Sequence, residues 1–147
     1  MIVRASYVAI LVMSLAGCSG TGDPALPPTF GEIDGGCGVT VLTNDVGDEV
    51  VLRTGVDCLI ERFDSGETVV WDLIVPTVEG DPILWRFEGD GAQITIIEDT
   101  TRDAFGSGAV VVRTCDQIND TGFIPAGSGC IDMPGEPFEL PGEMWPP

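Results

Sequence analysis

Five carboxylates stand in or beside two loops that the sequence predicts between strands. They are Glu79, Asp81, Glu98, Asp99 and Asp103. Ca²⁺ prefers carboxylate and carbonyl oxygens, so two loops that meet would offer the ion a set of ligands. Carboxylates are also used in acid–base hydrolysis. The spacing matches no standard calcium loop, however, and Asp and Gly also serve the geometry of turns. We therefore expect structural turns with an Asp99–Arg102 ion pair, and keep calcium binding and carboxylate-dependent hydrolysis as alternatives.

Other groups for catalysis are scarce, because the chain contains no histidine and no lysine. Ser107 lies between two glycines, but nothing obvious in the sequence would activate its hydroxyl as a nucleophile. A zinc site is disfavoured, since there is neither a histidine nor a Cys-x-x-Cys pair. We therefore expect a protein that is not an enzyme and that has no cofactor, with Ca²⁺ as the one exception to test.

The charge of the chain limits its partners. There are 24 acidic residues against 6 arginines, which gives a formal net charge of −18 over 147 residues. Such a surface repels phosphate backbones and anionic lipid head groups, so we expect no binding to nucleic acid and no polybasic contact with a membrane.

The first 18 residues have the organisation of an export signal. A basic residue precedes an apolar run over residues 7–15, which is too short to cross a bilayer. The run ends in LAGC at residues 15–18, which resembles the lipobox of bacterial lipoproteins. The resemblance implies a signal peptide over residues 1–17, cleavage before Cys18, and a diacylglyceryl thioether on its sulfur. An ordinary signal peptide with an incidental cysteine is the alternative.

A tether follows the lipid cysteine. Residues 18–36 are rich in Gly, Pro, Ser and Thr without periodicity, and such a coil would hold a domain about 20–25 Å from the membrane. Ser19 stands where an aspartate retains lipoproteins in the inner membrane of many Gram-negative bacteria. We therefore expect anchoring in the bacterial cell envelope, at the outer membrane if the host has two membranes and otherwise on the outer face of the cell membrane.

Four cysteines are left once Cys18 is assigned to lipid: Cys37, Cys58, Cys115 and Cys130. An even set in an exported chain predicts two disulfides, and three pairings are open. Cys37–Cys58 with Cys115–Cys130 is favoured because each bond closes a short local loop. A Cys58–Cys115 bond, which would join helix to sheet, is the main alternative.

The remaining elements predict an α+β fold in one domain over residues 37–130. Two short apolar runs around NDVGD, at residues 37–43 and 49–53, predict an N-terminal hairpin. Apolar residues at helical spacing then predict a short helix over residues 55–65, with Thr54 and Asp57 as an approximate capping box and Gly66 as its end. The apolar residues of that helix are Val56, Leu59, Ile60 and Phe63.

Four runs rich in Val, Ile and aromatic residues predict an antiparallel meander, at residues 69–75, 83–88, 93–98 and 109–114. Strand alternation places Trp71 on one face and Asp72 on the other, and Arg86 opposite Phe87. We expect one face to be covered by the helix. The third and fourth strands are expected to supply Ile94, Ile96, Val110 and Val112 to the core.

The tail over residues 131–147 contains five prolines, so we expect no regular structure there. Its large apolar residues suit either docking to a partner in an extended conformation or packing over the domain. They are Phe138, Leu140, Met144 and Trp145.

Three motifs together resemble a family of small bacterial lipoproteins classed as a domain of unknown function. They are TVEGDPI at residues 77–83, DTTRDAFGSG at residues 99–108, and the cysteine of RTCDQI at residue 115. The resemblance extends from the helix to Cys130, implies the same order of helix and strands, and favours a Cys115–Cys130 bond. It carries over no catalytic or binding residue. We therefore expect a lipid-anchored, non-catalytic module that binds or supports an unidentified envelope protein through its sheet edge, loops or tail.

Overall fold

The computed structural model describes residues 36–139, so the signal peptide, Cys18, nearly all of the tether and residues 140–147 of the tail lie outside it. The described part contains one helix, α1 (Asp48–Asp64), and eight strands. The strands are β1 (Gly38–Val41), β2 (Val69–Pro76), β3 (Pro82–Gly89), β4 (Ile94–Asp99), β5 (Val110–Cys115), β6 (Gln117–Asn119), β7 (Ala126–Ser128) and β8 (Ile131–Pro134).

Six of these strands form one sheet in the order β1-β2-β3-β4-β5-β8, and β6 pairs with β7 in a separate ribbon. The four central strands are the predicted meander, and all neighbours in the large sheet are antiparallel except β1 and β2, which are parallel. One helix on a largely antiparallel sheet confirms the predicted α+β class.

The predicted N-terminal hairpin is wrong, because residues 49–53 form the first turns of α1 and β1 pairs with β2 instead. Leu52 is buried with Val56 and Leu59, so the apolar stripe of the helix extends one turn earlier than predicted. The Asp48 carboxylate accepts three backbone N–H groups from the preceding turn, at residues 43–45. Thr54 lies inside the helix and donates its hydroxyl to the Val50 carbonyl, so it caps nothing.

The helix ends where the sequence predicts. Gly66 has a positive φ of 73°, its N–H donates to the Phe63 carbonyl, and the N–H of Glu67 donates to the Arg62 carbonyl. This pair of bonds is the Schellman arrangement, in which glycine adopts the left-handed conformation without a steric cost.

The helix covers what we call the helix face of the sheet. Trp71 is fully buried there, and its ring stacks on Phe87 with centroids 5.2 Å apart. The helix approaches closely at Gly55, where a Cβ atom would lie 2.5 Å from atoms of the Trp71 indole. The indole N–H donates to the hydroxyl of buried Thr40 on β1. The core on this face comprises Leu42, Leu52, Val56, Leu59, Val69, Trp71, Leu73, Phe87, Ile94, Ile96, Cys115 and Ile118.

The predicted core assignment for β5 is confirmed for Val110, which is 8% exposed, and wrong for Val112, which is only partly buried. Val112 is paired with Ile97 and Val110 with Asp99, and directly opposed residues share a face. Val110 and Val112 therefore lie on the opposite side, which we call the second face, while Cys115 faces the helix side with Ile94.

Disulfides join Cys37 to Cys58 and Cys115 to Cys130, which is the local pairing. The first bond ties the residue before β1 to the middle of α1. The second closes the excursion that contains β6 and β7, and Ile118 of that excursion is buried in the core of the helix face. Together the two disulfides connect α1 and the excursion with β6 and β7, which both cover the helix face, to the sheet.

The predicted boundary of regular structure at residue 130 is also wrong. Residues 131–134 form β8, which pairs with β5 at the edge of the sheet. Edge strands tolerate proline because one side of their backbone needs no partner, and Pro134 is the last residue of this strand. The chain then turns onto the second face, where the Gly135 N–H donates to the Val110 carbonyl.

Candidate functional site

The two acidic loops of the sequence analysis lie at the same end of the sheet. The turn at residues 77–81 joins β2 to β3, and the loop at residues 100–109 joins β4 to β5. They are in direct contact, because the Ala104 N–H donates to the Asp81 carboxylate at 3.0 Å. Asp103 accepts the Phe105 N–H at 3.0 Å, in the manner of an Asx-turn. The Asp103 carboxylate thus supports its own turn, and the Asp81 carboxylate joins the two loops.

The structure does not bring the five proposed metal ligands together. Glu98 bonds Arg113 at 3.0 Å on the helix face, whereas Asp99 lies on the second face, because adjacent residues of a strand point to opposite sides. Over residues 36–139, no three Asp, Glu, His or Cys side chains are grouped so as to hold a metal ion. The calcium set of Glu79, Asp81, Glu98, Asp99 and Asp103 is therefore wrong as a single site.

The tips of the two loops are apolar. Val78 is 95% exposed and Phe105 is 80% exposed, and we call this end of the sheet the loop pole. Cys37 lies at the other end, where its N–H donates to the Val70 carbonyl near the start of β2. Six residues of strand separate Val70 from Pro76, which is roughly 20 Å at 3.3 Å per residue. The loop pole and the point where the chain enters β1 are thus at opposite ends.

The second face contains a buried ion pair. The Arg86 guanidinium donates to both carboxylate oxygens of Asp72 at 2.7 Å, and Asp72 and Arg86 are 0% and 1% exposed. Asp72 and Arg86 stand directly opposite each other on β2 and β3. Burial lowers the pKa of Arg86, but the hydrogen bonds and charge of Asp72 outweigh it, so the pKa lies above its ordinary value. The pair is a bidentate contact between a guanidinium and a carboxylate.

Phe138 covers this ion pair from the tail. Its ring centroid lies 5.2 Å from the guanidinium carbon of Arg86, and Phe138 packs with Ile74, Leu84 and Ile97. A cation against an aromatic face is attracted by the ring quadrupole, and more strongly where water is excluded. Phe138 is only 5% exposed. Phe138, one of the large apolar residues of the tail, is therefore packed on the domain.

The main chain of Phe138 is held by side chains. Its N–H donates to the Asp99 carboxylate at 2.9 Å, and its carbonyl accepts from the Arg102 guanidinium. Arg102 also donates to Asp99 at 3.0 Å, so the predicted Asp99–Arg102 ion pair is present. The hydroxyl and N–H of Thr101 donate to the other oxygen of Asp99.

These bonds set the charge of Asp99. Burial raises the pKa of Asp99, but hydrogen bonds from Thr101 and Phe138 and the charge of Arg102 outweigh it, so the pKa lies below its ordinary value. A carboxylate that already accepts four donors is a poor general base, since its lone pairs are engaged. Asp99 and Arg102 therefore act as hydrogen-bond partners for the main chain of Phe138.

Sequence reasoning placed Asp72 and Arg86 away from the core and did not recognise them as a site. Opposite charges on neighbouring strands, both on the second face by alternation, were the available signal. The contact of Phe138 with them spans residues far apart in the chain, and no local pattern signals it.

No helix within residues 36–139 is long and apolar enough to cross a membrane.

Comparisons with known proteins agree with the family resemblance drawn from the motifs. No curated protein and no solved structure matches the chain. The matched family segment includes Cys58 and Cys115 and ends before Cys130, so it is shorter than the resemblance indicated. It contains the last seven residues of α1, the whole meander, the ion pair Asp72–Arg86 and the Asp99–Arg102 pair. Residues 58–122 match the family described as Domain of unknown function (DUF4362).

Proposed function

We propose that this chain is a lipid-anchored lipoprotein of the bacterial cell envelope that binds another envelope protein without catalysis. The observation that carries the location is the cysteine arrangement. LAGC at residues 15–18 offers one cysteine for the lipid, and the other four are joined in two disulfides. Disulfides persist in oxidising compartments outside the cytosol, which supports export.

The loop pole supports a binding role. Val78 and Phe105 expose large apolar side chains on adjoining loops, and the same loops contain the acidic residues Glu79, Asp81 and Asp103. Exposed apolar groups with a charged rim are typical of protein-binding surfaces. A lipid on Cys18 would attach the domain through the end of the sheet opposite the loop pole, which leaves the loop pole accessible to a partner. The matching partner has an apolar centre and basic residues around it.

The anchor is tested on the protein recovered from its own host. We expect mass spectrometry to find an N-terminal Cys18 carrying diacylglycerol, and Cys18→Ser to leave the membrane fraction. Two acyl chains anchor a protein stably, so the wild type stays with the membrane after a salt wash. A free or disulfide-bonded thiol at residue 18 would exclude the lipid anchor.

The partner surface is tested by cross-linking in intact cells. We expect Phe105→Asp to remove a stoichiometric cross-linked partner. The matched control is Phe123→Asp, since Phe123 is also exposed, at 53%, but lies outside the loop pole. Equal loss of the partner in both variants, or in neither, would show that the loop pole is not the binding surface.

A further inference from the structure

The segment at residues 135–139, which we call the strap, is held on the second face mainly through one residue. Phe138 is buried, whereas Glu136, Pro137 and Glu139 are exposed. Before them, the Gly135 N–H bonds the Val110 carbonyl. The Phe138 side chain and the main-chain hydrogen bonds of Gly135 and Phe138 hold this segment, and in this respect it resembles a bound peptide more than a strand of the sheet.

The contacts of Phe138 distinguish it from an ordinary core residue. The Phe138 N–H donates to the Asp99 carboxylate, and the Phe138 carbonyl accepts from the Arg102 guanidinium. Side chains of the domain therefore bind both main-chain polar groups of this residue. These two contacts are available to any extended chain in the same direction. The ring contact with Arg86 then selects an aromatic residue.

The binding groups of the domain are held in place independently of the strap. Arg86 is oriented by both oxygens of Asp72, and Asp99 is oriented by Thr101 and Arg102. A site whose side chains are already fixed loses little conformational freedom when a ligand binds. Pro137 similarly restricts the backbone just before Phe138, which reduces the ordering cost on the side of the strap.

We propose that the second face is a recognition site for a phenylalanine residue in an extended segment of a partner protein, and that the strap occupies this site in cis. Its use for a partner rests on the proposed binding function. A tethered segment competes at an effective concentration on the order of 1 mM, so the partner's segment gains access when the strap is released.

The test uses the full chain with its disulfides and a synthetic peptide of residues 134–140, PGEPFEL, which contains the strap. We expect the peptide to bind Phe138→Ala at least about tenfold more tightly than wild type, because no ring competes in cis. A peptide with alanine in place of phenylalanine should bind at least about tenfold more weakly. Equal binding to both proteins, or none to folded Phe138→Ala, would overturn the proposal.

Two variants test the site itself. In the Phe138→Ala chain, Arg102→Gln should weaken peptide binding, whereas Arg113→Gln on the helix face should not. Should Phe138→Ala fail to fold, wild type with about 10 mM peptide replaces it, and accelerated hydrogen exchange of the Phe138 amide is expected. An unchanged rate would contradict the proposal.

The outcomes separate this site from the loop pole. A wild-type dimer that forms with concentration and is lost in Phe138→Ala would assign the site to a second copy and overturn the partner assignment. Failure of peptide binding leaves the Phe105 cross-linking test unaffected, and failure of that test leaves peptide binding unaffected.

Discussion

The two faces of the sheet are covered by different physical means. On the helix face, a 17-residue helix and a disulfide-closed excursion bury apolar and aromatic side chains. On the second face, a bidentate ion pair lies under a single phenylalanine whose main chain is held by Asp99 and Arg102. The first covering is broad and non-directional, and the second is narrow and depends on the geometry of a few polar atoms.

This difference indicates a division of labour. Apolar burial over a wide area stabilises the fold and tolerates little change in volume. A charged pair under an aromatic ring contributes less net stability, because desolvation of the charges opposes their attraction. Regions held by few apolar contacts open at a lower free energy than the core. The helix face therefore maintains the domain, and the second face is the one suited to exchange its covering.

The largest loss of stability is expected from a substitution that breaks the Asp72–Arg86 ion pair. Asp72→Ala removes the bidentate carboxylate from the buried Arg86 guanidinium and leaves it the longer contact with Glu88, at 3.7 Å. We expect the free energy of unfolding to fall by about 3–5 kcal/mol. The double variant Asp72→Leu with Arg86→Met should recover most of that loss, because it removes both charges. Chemical denaturation measures both. A double variant as unstable as Asp72→Ala would show that the pair is not the source of the loss.

A second change tests how closely the helix packs on the helix face. Gly55→Ala places a Cβ atom against the Trp71 indole, and overpacking of a filled core costs typically about 1–3 kcal/mol. Thr54→Ala is the matched control, since Thr54 is exposed one residue earlier in the same helix. We expect the control to be neutral or slightly stabilising, because alanine is the better helix former. Equal effects would mean that the helix is not closely packed at Gly55.

The third change tests the hydrogen bonds that Asp99 makes with Phe138 of the strap. Asp99→Asn turns an NH₂ group toward donors, and loss of hydrogen bonds to a charged group costs about 1.5–3 kcal/mol at neutral pH. The pKa of Asp99 is lowered by folding, so its ionised form stabilises the fold above the unfolded pKa of about 3.9. That contribution is lost as the pH falls through the lower folded pKa. We expect the stabilities of wild type and Asp99→Asn to converge below about pH 4, and a constant difference would contradict this assignment.

The smallest expected effect concerns the partly exposed pair on the helix face. Arg113 bonds Glu98 at 3.0 Å, with side chains 32% and 23% exposed. Such pairs contribute up to about 1 kcal/mol, so Arg113→Gln should change stability by no more than that. A loss approaching that of Asp72→Ala would remove the distinction drawn between buried and partly exposed pairs.

The sequence predicted the meander, the end of the helix and the local cysteine pairing, because each has a short-range signal. Alternating strands, glycine at the end of a helix and cysteines close in the chain are all such signals. The segment at residues 49–53 misled because five residues fit either a strand or one face of a helix. Leu52 decides for the helix only when its packing with Val56 and Leu59 is known.

The site depended on long-range information that the sequence does not provide. Val112 was placed on the wrong face because the register of β5 with β4 determines its side, not its own alternation. The five acidic residues were grouped by loop, although Glu98 and Asp99 point to opposite faces. Phe138 was recognised as an apolar residue of the tail, but its site on Arg86, Asp99 and Arg102 exists only after the sheet has formed.

The central claim is that the strap can leave the second face while the rest of the domain stays folded. Hydrogen exchange of the Phe138 backbone amide tests this claim most directly. We predict that this amide exchanges through a local opening, at a free energy well below that of the amides of β3 and with little dependence on denaturant. Exchange of the Phe138 amide only through global unfolding, with the same free energy and denaturant dependence as β3, would show that the strap is a fixed part of the core and contradict the account.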